Sequence, residues 1–233
     1  AADSARGRVR SMAANSRSLF SADLAQLKVT LRQLGECAIE MLEGATEALV
    51  NQDYDLAEQV RKRDNLADAL DEKVDEDCVT LLALQAPVAR DLRIIMGSAR
   101  IATDLERIAD YAKDIAKVAR KLSSEDYFWP LEDIPSMAHS CAAMGRMSLA
   151  ALDDVDEDMA RKCAGMDHEV DARWKLVREQ LIQHMEADPS RVRQAAQLLL
   201  VARYLERIGD HIVNVAERVH YMATGELRRL DVE

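Results

Sequence analysis

Apolar residues recur at alternating intervals of three and four along most of this chain, which is the pattern of helices that bury one face. The first stripe consists of positions 24, 27, 31, 34, 38, 41, 45 and 48. Five more stripes follow, over 56–81, 94–119, 134–151, 163–181 and 198–219. The four prolines lie at the connections, where the missing backbone N–H does no harm. The pattern therefore predicts six long helices.

Long helices that are joined by short turns lie antiparallel, so each half of the chain is predicted to form a three-helix bundle. Residues 123–135 contain two prolines and several polar residues, and we interpret them as a linker. The fold class is then all-α, with a first bundle over 21–122 and a second over 136–233. Residues 1–20 precede the first bundle, and we expect them to be a disordered basic arm. The arm carries Arg6, Arg8, Arg10 and Arg17.

A charged hexamer occurs twice, which indicates an internal duplication. Leu-Glu-Arg-Ile-Ala-Asp at 105–110 returns as Leu-Glu-Arg-Ile-Gly-Asp at 205–210. Core packing requires only apolar bulk, so the shared acidic residues suggest a chemical role. Residues four apart share one face of a helix, which pairs the Glu and the Asp within each copy.

The second helix of each half offers a matching pair of acids, again four residues apart. Two helices of each bundle would thus present four carboxylates, which suit hard cations such as Mg²⁺, Mn²⁺ and iron, and Zn²⁺ less well. The first predicted metal site consists of Asp64, Asp68, Glu106 and Asp110, and the second of Asp167, Asp171, Glu206 and Asp210. Asp114 and its counterpart Asn214 are further oxygen donors. The alternative is that these acids only solvate the helix edges, with Arg107 and Arg207 as partners.

Composition narrows the classes of function. The net charge of −11 argues against nucleic acid as a partner. No apolar run approaches the length needed to span a bilayer, so a role at the membrane would act through partners. The four cysteines show no Cys-x-x-Cys spacing and fall on or beside apolar stripes, which predicts buried free thiols and a cytoplasmic location.

Other sites and functions have less support in the sequence. The acids at 154–158 lack the glycine and the final glutamate of an EF-hand, so we interpret them as a capping turn. A ferritin-like di-iron oxidase needs two facing Glu-x-x-His elements, and only Glu217-x-x-His220 fits. His211 is interpreted as a surface residue, and no glycine-rich phosphate loop supports nucleotide hydrolysis. A non-enzymatic protein is therefore expected, and a metal-free helical scaffold that docks on a basic partner stays open.

Over about residues 21–228 the chain resembles PhoU, a family of bacterial phosphate-uptake regulators. The resemblance is carried by both repeated hexamers, by Asn-Gln-Asp-x-Asp-Leu-Ala at 51–57, by Asp-His-Ile-x-Asn at 210–214 and by Tyr-x-x-Thr-Gly-Glu at 221–226. It implies tandem three-helix bundles whose acidic motifs, here the eight acids named above, hold metal ions. In some members these ions form multinuclear iron or zinc clusters.

The same resemblance implies a function. Members of the family are cytoplasmic adaptors that dampen phosphate-starvation signalling. They contact a PhoR-type sensor histidine kinase and the PstB-type ATPase of a phosphate transporter, and homodimers are usual. The Asp114/Asn214 difference leaves open whether the two sites hold the same number of ions.

Overall fold

The computed structural model describes the backbone of residues 2–85 and 87–230 and the side chains of residues 19–83 and 87–230, and this part contains helices but no strand. All six predicted helices are present, and the fifth is divided at Met166. The helices are α1 (Ala2–Asn51), α2 (Tyr54–Gln85), α3 (Arg90–Leu122), α4 (Asp133–Asp154), α5 (Glu157–Gly165), α6 (Asp167–Ala187) and α7 (Val192–Thr224). A 3-10 turn over Pro189–Arg191 precedes α7.

Short polar side chains and a glycine set the helix ends. The Asp53 carboxylate accepts a hydrogen bond from the Leu56 backbone N–H at 2.9 Å, where α2 begins. Asp156 accepts one from the Met159 backbone N–H at 3.0 Å, which confirms the predicted capping turn before α5. At the end of α7, Gly225 adopts a φ of 83°, a left-handed conformation that glycine tolerates without steric cost.

The expected boundary between an N-terminal arm and the first bundle is not seen in the backbone. Residues 2–20 continue α1 as an unbroken helix, whereas we expected a disordered arm over 1–20. The segment is rich in alanine and arginine, which favour helix, and it contains no proline. Residue 1 and the side chains of the four arginines lie outside the described part of the chain.

The two bundles share one buried core. Helices α1, α2 and α3 contact one another in the first half, and α4 to α7 do so in the second. Contacts of α1 with α4 and of α3 with α7 join the halves, while α2 and α6 lie on the outer flanks. The four cysteines are free and buried, as predicted. Among the described residues, no helix combines the length and the apolar content that crossing a bilayer requires.

Helices α3 and α7 meet in an antiparallel contact that aligns the two repeated hexamers. Asp104 Oδ1 lies 2.9 Å from His211 Nδ1 and 3.1 Å from the donating amide of Asn214. The rings of Tyr111 and Tyr204 stack at 5.7 Å on the other side of the hexamers. The sequence indicates that His211 is a surface residue rather than a ligand, and in the structure it is half-buried in the contact between the bundles, with its side chain 21% exposed.

Candidate metal centre

In the first bundle, Asp64 of α2 and Asp110 of α3 both contact one cationic side chain, that of Lys113. The ammonium of Lys113 donates to Asp64 Oδ2 at 2.6 Å and to Asp110 Oδ1 at 2.8 Å. Asp64 is 7% exposed, and a buried carboxylate requires such a partner. Burial opposes the charge on Lys113, but the bonds to Asp110 and Asp64 prevail and raise its pKa. These two predicted ligands therefore converge, and a lysine lies between them.

The other two acids of the first site experience the same negative field. Burial and the neighbouring Asp110 charge raise the pKa of Glu106 to about 7. Burial and the charges of Asp64 and Asp110 raise the pKa of the exposed Asp68. Arg107 lies 3.2 Å from Asp110 Oδ2 and 3.5 Å from Glu106 Oε2, as the alternative of a solvated helix edge predicts.

In the second bundle, the break at Met166 places Asp167 at the first position of α6. Its carboxylate lies against the backbone of Gly209, and a Cβ at that position would be 2.4 Å from Asp167 Oδ1. Burial, followed by the charges of Asp171, Asp210 and Glu206, raises the pKa of Asp167 to about 6. Four carboxylates thus crowd together where α6 meets α7.

The cationic partners of the second site are arginines of α7 itself. Arg203 holds one oxygen of Glu206, while the other, Oε2, is buried without a hydrogen-bond partner. Arg207 lies 3.5 Å from Asp210 Oδ2. Burial and the charge of Asp210 raise the pKa of Glu206, and burial is the main cause that raises the pKa of Asp210. The site keeps uncompensated negative charge.

The two additional oxygen donors are engaged elsewhere. Asp114 accepts a hydrogen bond from Lys117, one turn further along α3, at 2.7 Å. The Asn214 amide donates to Asp104 in the contact between the bundles. Neither side chain is bonded to a member of the two acidic clusters.

The fit of these clusters to a metal ion differs between the halves. Within the described residues, no group of three or more Asp, Glu, His or Cys side chains has the mutual geometry of a metal site. The donors are all hard oxygens, and in the second cluster one buried oxygen lacks a partner. That cluster fits a cation that draws its carboxylates together. In the first cluster, the Lys113 ammonium already bridges the helices.

The sequence-based prediction named the acids but missed the residues that distinguish the clusters. At an offset of 100 residues, Lys113 corresponds to Val213, and Ala109 corresponds to Gly209. An alignment of the complete helices, rather than of the hexamers alone, shows these two differences between the copies. Such an alignment does not predict the bond between Asp104 and His211, because the two residues occupy different positions of the two copies.

Comparison with known proteins identifies the family. A family model described as the PhoU domain matches residues 31–119 and, separately, residues 134–219. The chain belongs to the PhoU family. The two matches agree with the duplication that the repeated hexamers indicate.

Relatives extend the similarity to nearly the whole chain. A protein of Clostridium acetobutylicum named "Phosphate-specific transport system accessory protein PhoU homolog" is 36% identical, with 90% of this chain and 96% of that protein aligned. A Deinococcus radiodurans protein of the same name is 34% identical, over 90% and 98% of the two chains.

Two solved structures share the fold. The crystal structure of PhoU from Pseudomonas aeruginosa matches with a TM-score of 0.86 and 32% identity, over 89% of this chain and all of that one. The PhoU structure from Streptococcus pneumoniae matches with a TM-score of 0.84 and 28% identity, over 90% and 99% of the two chains.

Proposed function

We propose that this protein is a non-enzymatic, metal-binding accessory regulator of phosphate uptake and phosphate-starvation signalling. The observation that carries the proposal is the alignment with relatives named as accessory proteins of a phosphate-specific transport system. The alignment covers 90% of this chain and 96% or more of those two relatives, so a function of the whole relative has its counterpart here.

The regulator acts by protein contact, in the cytoplasm and as a homodimer. Its partners are a PhoR-type sensor histidine kinase and the PstB-type ATPase of a phosphate transporter. The transport-system name of the relatives supports the second partner. Four buried free thiols are typical of a reducing compartment, which supports the location. Pull-down of the host's kinase and ATPase on the immobilised protein tests the contacts, and light scattering tests the dimer.

The metal-binding part is supported by the second acidic cluster. Its carboxylates repel one another, and Glu206 Oε2 is buried without a partner. A bound divalent or trivalent ion, of iron, Mn, Mg or Zn and in one or several copies, would neutralise this charge and connect α6 to α7. Asp167, Asp171, Glu206 and Asp210 would hold it there, and Asp64, Asp68, Glu106 and Asp110 are the corresponding acids of the first bundle.

The metal-free scaffold is the second candidate, and the Lys113 bridge favours it for the first bundle. The di-iron oxidase has less support. The sequence contains one Glu-x-x-His element where such an oxidase needs two, and its Glu217 accepts a hydrogen bond from the Leu230 backbone N–H. The His220 ring is buried, both of its nitrogens lack a hydrogen-bond partner in the part of the chain that the structure describes, and Nδ1 lies 3.4 Å from Glu157 Oε1.

A gene-deletion experiment tests the regulatory role. We expect a host that lacks the gene to express a phosphate-starvation reporter in phosphate-rich medium, and the intact gene to restore repression. Normal repression after deletion would contradict the proposed regulation.

Metal content separates the metal-binding adaptor from the metal-free scaffold. Elemental analysis of protein purified without a chelator or a polyhistidine tag should find metal in the parent and much less in a chain with Asp167→Asn and Asp210→Asn, whereas a scaffold would contain near-zero metal in both. Asp158→Asn changes an exposed acid outside both clusters and is the matched control.

A further inference from the structure

The two copies of the acidic site differ in one cation. In the first bundle, Lys113 Nζ contacts Asp64 on α2 and Asp110 on α3 at 2.6 and 2.8 Å. The corresponding residue of the second bundle is Val213, which is 5% exposed and belongs to the core. One copy therefore contains an internal ammonium and the other does not.

The ammonium lies where a bound metal ion would have to lie. A metal that bridges α2 and α3 would need carboxylate oxygens from both helices, and the lysine already uses one oxygen from each. The Lys113 side chain is 22% exposed and that of Asp64 is 11% exposed, so solvent screens this contact only in part. An entering cation must displace the ammonium, and like charges prevent both from occupying the site.

The second cluster has no such competitor. Its arginines, Arg203 and Arg207, reach Glu206 and Asp210 from the same helix. Arg203 also packs over the Trp174 ring of α6 at 5.7 Å, but among the described residues neither arginine forms an ion pair with a carboxylate of α6. The cluster also retains a buried oxygen without a partner on Glu206. Gly209 leaves room for the Asp167 carboxylate against the α7 backbone.

We infer that Lys113 is an internal counterion that closes the first acidic site to metal ions, so that this protein loads metal at the second site alone. The inference rests on the metal-binding part of the proposed function and makes it specific. The duplicated chain then has one metal-dependent bundle and one bundle in which the ion pairs of a lysine connect α2 to α3.

Metal titration of the chelator-treated full chain tests the inference, with Mn²⁺ as the probe because it prefers oxygen ligands. Calorimetry and elemental analysis after dialysis should give one class of tight site in the wild-type protein. Asp167→Asn should abolish that class, and Asp64→Asn should leave it intact. These two variants test the asymmetry while Lys113 remains in place.

Replacing the lysine with the residue of the other copy provides the converse test. Lys113→Val should create a second class of sites, with Mn²⁺ affinity at the first cluster raised at least about tenfold, because the substitution removes a positive charge that repels the cation at about 4 Å or less. Lys121→Val, an exposed lysine two turns further along α3, is the matched control and should titrate like the wild type. Circular dichroism in chelator checks that each variant is folded.

The outcomes distinguish the inference from the function on which it rests. Two equal classes of sites in the wild-type protein, or loss of metal in Asp64→Asn to the same extent as in Asp167→Asn, would overturn the asymmetry alone. A folded Lys113→Val chain without a new class of sites would also overturn it. If none of these proteins bound Mn²⁺, iron or Zn²⁺, the metal-binding proposal itself would fail.

Discussion

At the scale of single residues, small differences between the copies decide what two nearly identical motifs can do. Both hexamers present a glutamate and an aspartate four positions apart. In the first half, Lys113 neutralises the aspartate, whereas in the second half Gly209 admits another carboxylate, that of Asp167. The motif supplies the charge, and the residues around it determine how the charge is compensated.

Asp167→Asn is expected to stabilise the metal-free protein at neutral pH. Because burial and neighbouring acids raise the pKa of Asp167 to about 6, the folded state favours its protonated form. Its contribution to stability is complete below about pH 4 and is lost as the pH rises through about 6. The variant should match the parent at pH 4 and exceed it by on the order of 1 kcal/mol at pH 8, after allowance for solvent screening.

Urea unfolding in EDTA at both pH values measures this difference, and Asp158→Asn is again the control. A loss of stability in the variant at pH 8 would mean that the ionised Asp167 carboxylate makes a favourable contact in the folded chain, and would contradict the prediction.

Gly209→Ala is expected to weaken metal binding without lowering the stability of the protein. Alanine in a helix is favoured over glycine by about 1 kcal/mol, so the variant should be as stable as the parent or slightly more so. The new Cβ would lie 2.4 Å from Asp167 Oδ1 and must push this carboxylate aside. We therefore expect several-fold weaker Mn²⁺ binding in calorimetry. Gly165→Ala places its Cβ in open space and should leave the affinity unchanged.

At the scale of helices, the antiparallel contact of α3 with α7 connects the two sites. Asp104 accepts from His211 and Asn214 at one end of the repeated hexamers, and Tyr111 stacks on Tyr204 at the other. The acidic pairs of each hexamer face the outer helices α2 and α6, while these five residues face the other bundle. Each of the two helices thus serves a site on one side and the junction of the bundles on the other.

Asp104→Ala should weaken this junction. The substitution removes a partly buried carboxylate and leaves His211 and Asn214 without their acceptor, which is expected to cost about 2 kcal/mol of unfolding free energy. Glu36→Ala removes an exposed acid that pairs with Arg32 along α1 and should cost less than about 0.5 kcal/mol. Chemical unfolding of both variants measures the difference, and equal effects would contradict the assigned role of Asp104.

At the scale of the whole molecule, a duplicated sequence has produced one continuous core. Buried residues from α1 to α7 belong to a single cluster, and two pairs of helices cross the boundary between the halves. A change in stability at one acidic site is therefore transmitted to both bundles, because neither half can unfold without exposing the shared apolar surface.

Calorimetry should accordingly show a single unfolding transition for the metal-free protein. Added Mn²⁺ should move the whole transition upward, because a ligand that binds only the folded state stabilises it by about 2.7 kcal/mol at one hundred times its dissociation constant. Asp167→Asn should abolish the shift. Two separate transitions, only one of them sensitive to Mn²⁺, would contradict the shared core.

The sequence by itself determined the helices, the duplication and the acidic pairs. The apolar stripes set which face of each helix is buried, and the spacing of four placed Glu106 beside Asp110, because both features depend on the local geometry of a helix. Both features can be recognised within the sequence of a single helix. The sequence also shows that residue 113 is a lysine and residue 209 a glycine. It does not show that these two residues decide how the charge of each acidic cluster is compensated.

Only the tertiary structure decided which charges meet. The ammonium of Lys113 reaches Asp64 across 49 positions of sequence, and Asp104 reaches His211 across 107. The break at Met166 and the backbone of Gly209 together fix where Asp167 lies. Such contacts follow from the way the helices pack, and the energy of a buried charge depends on every neighbour within a few ångströms. That environment exists only after the chain has folded.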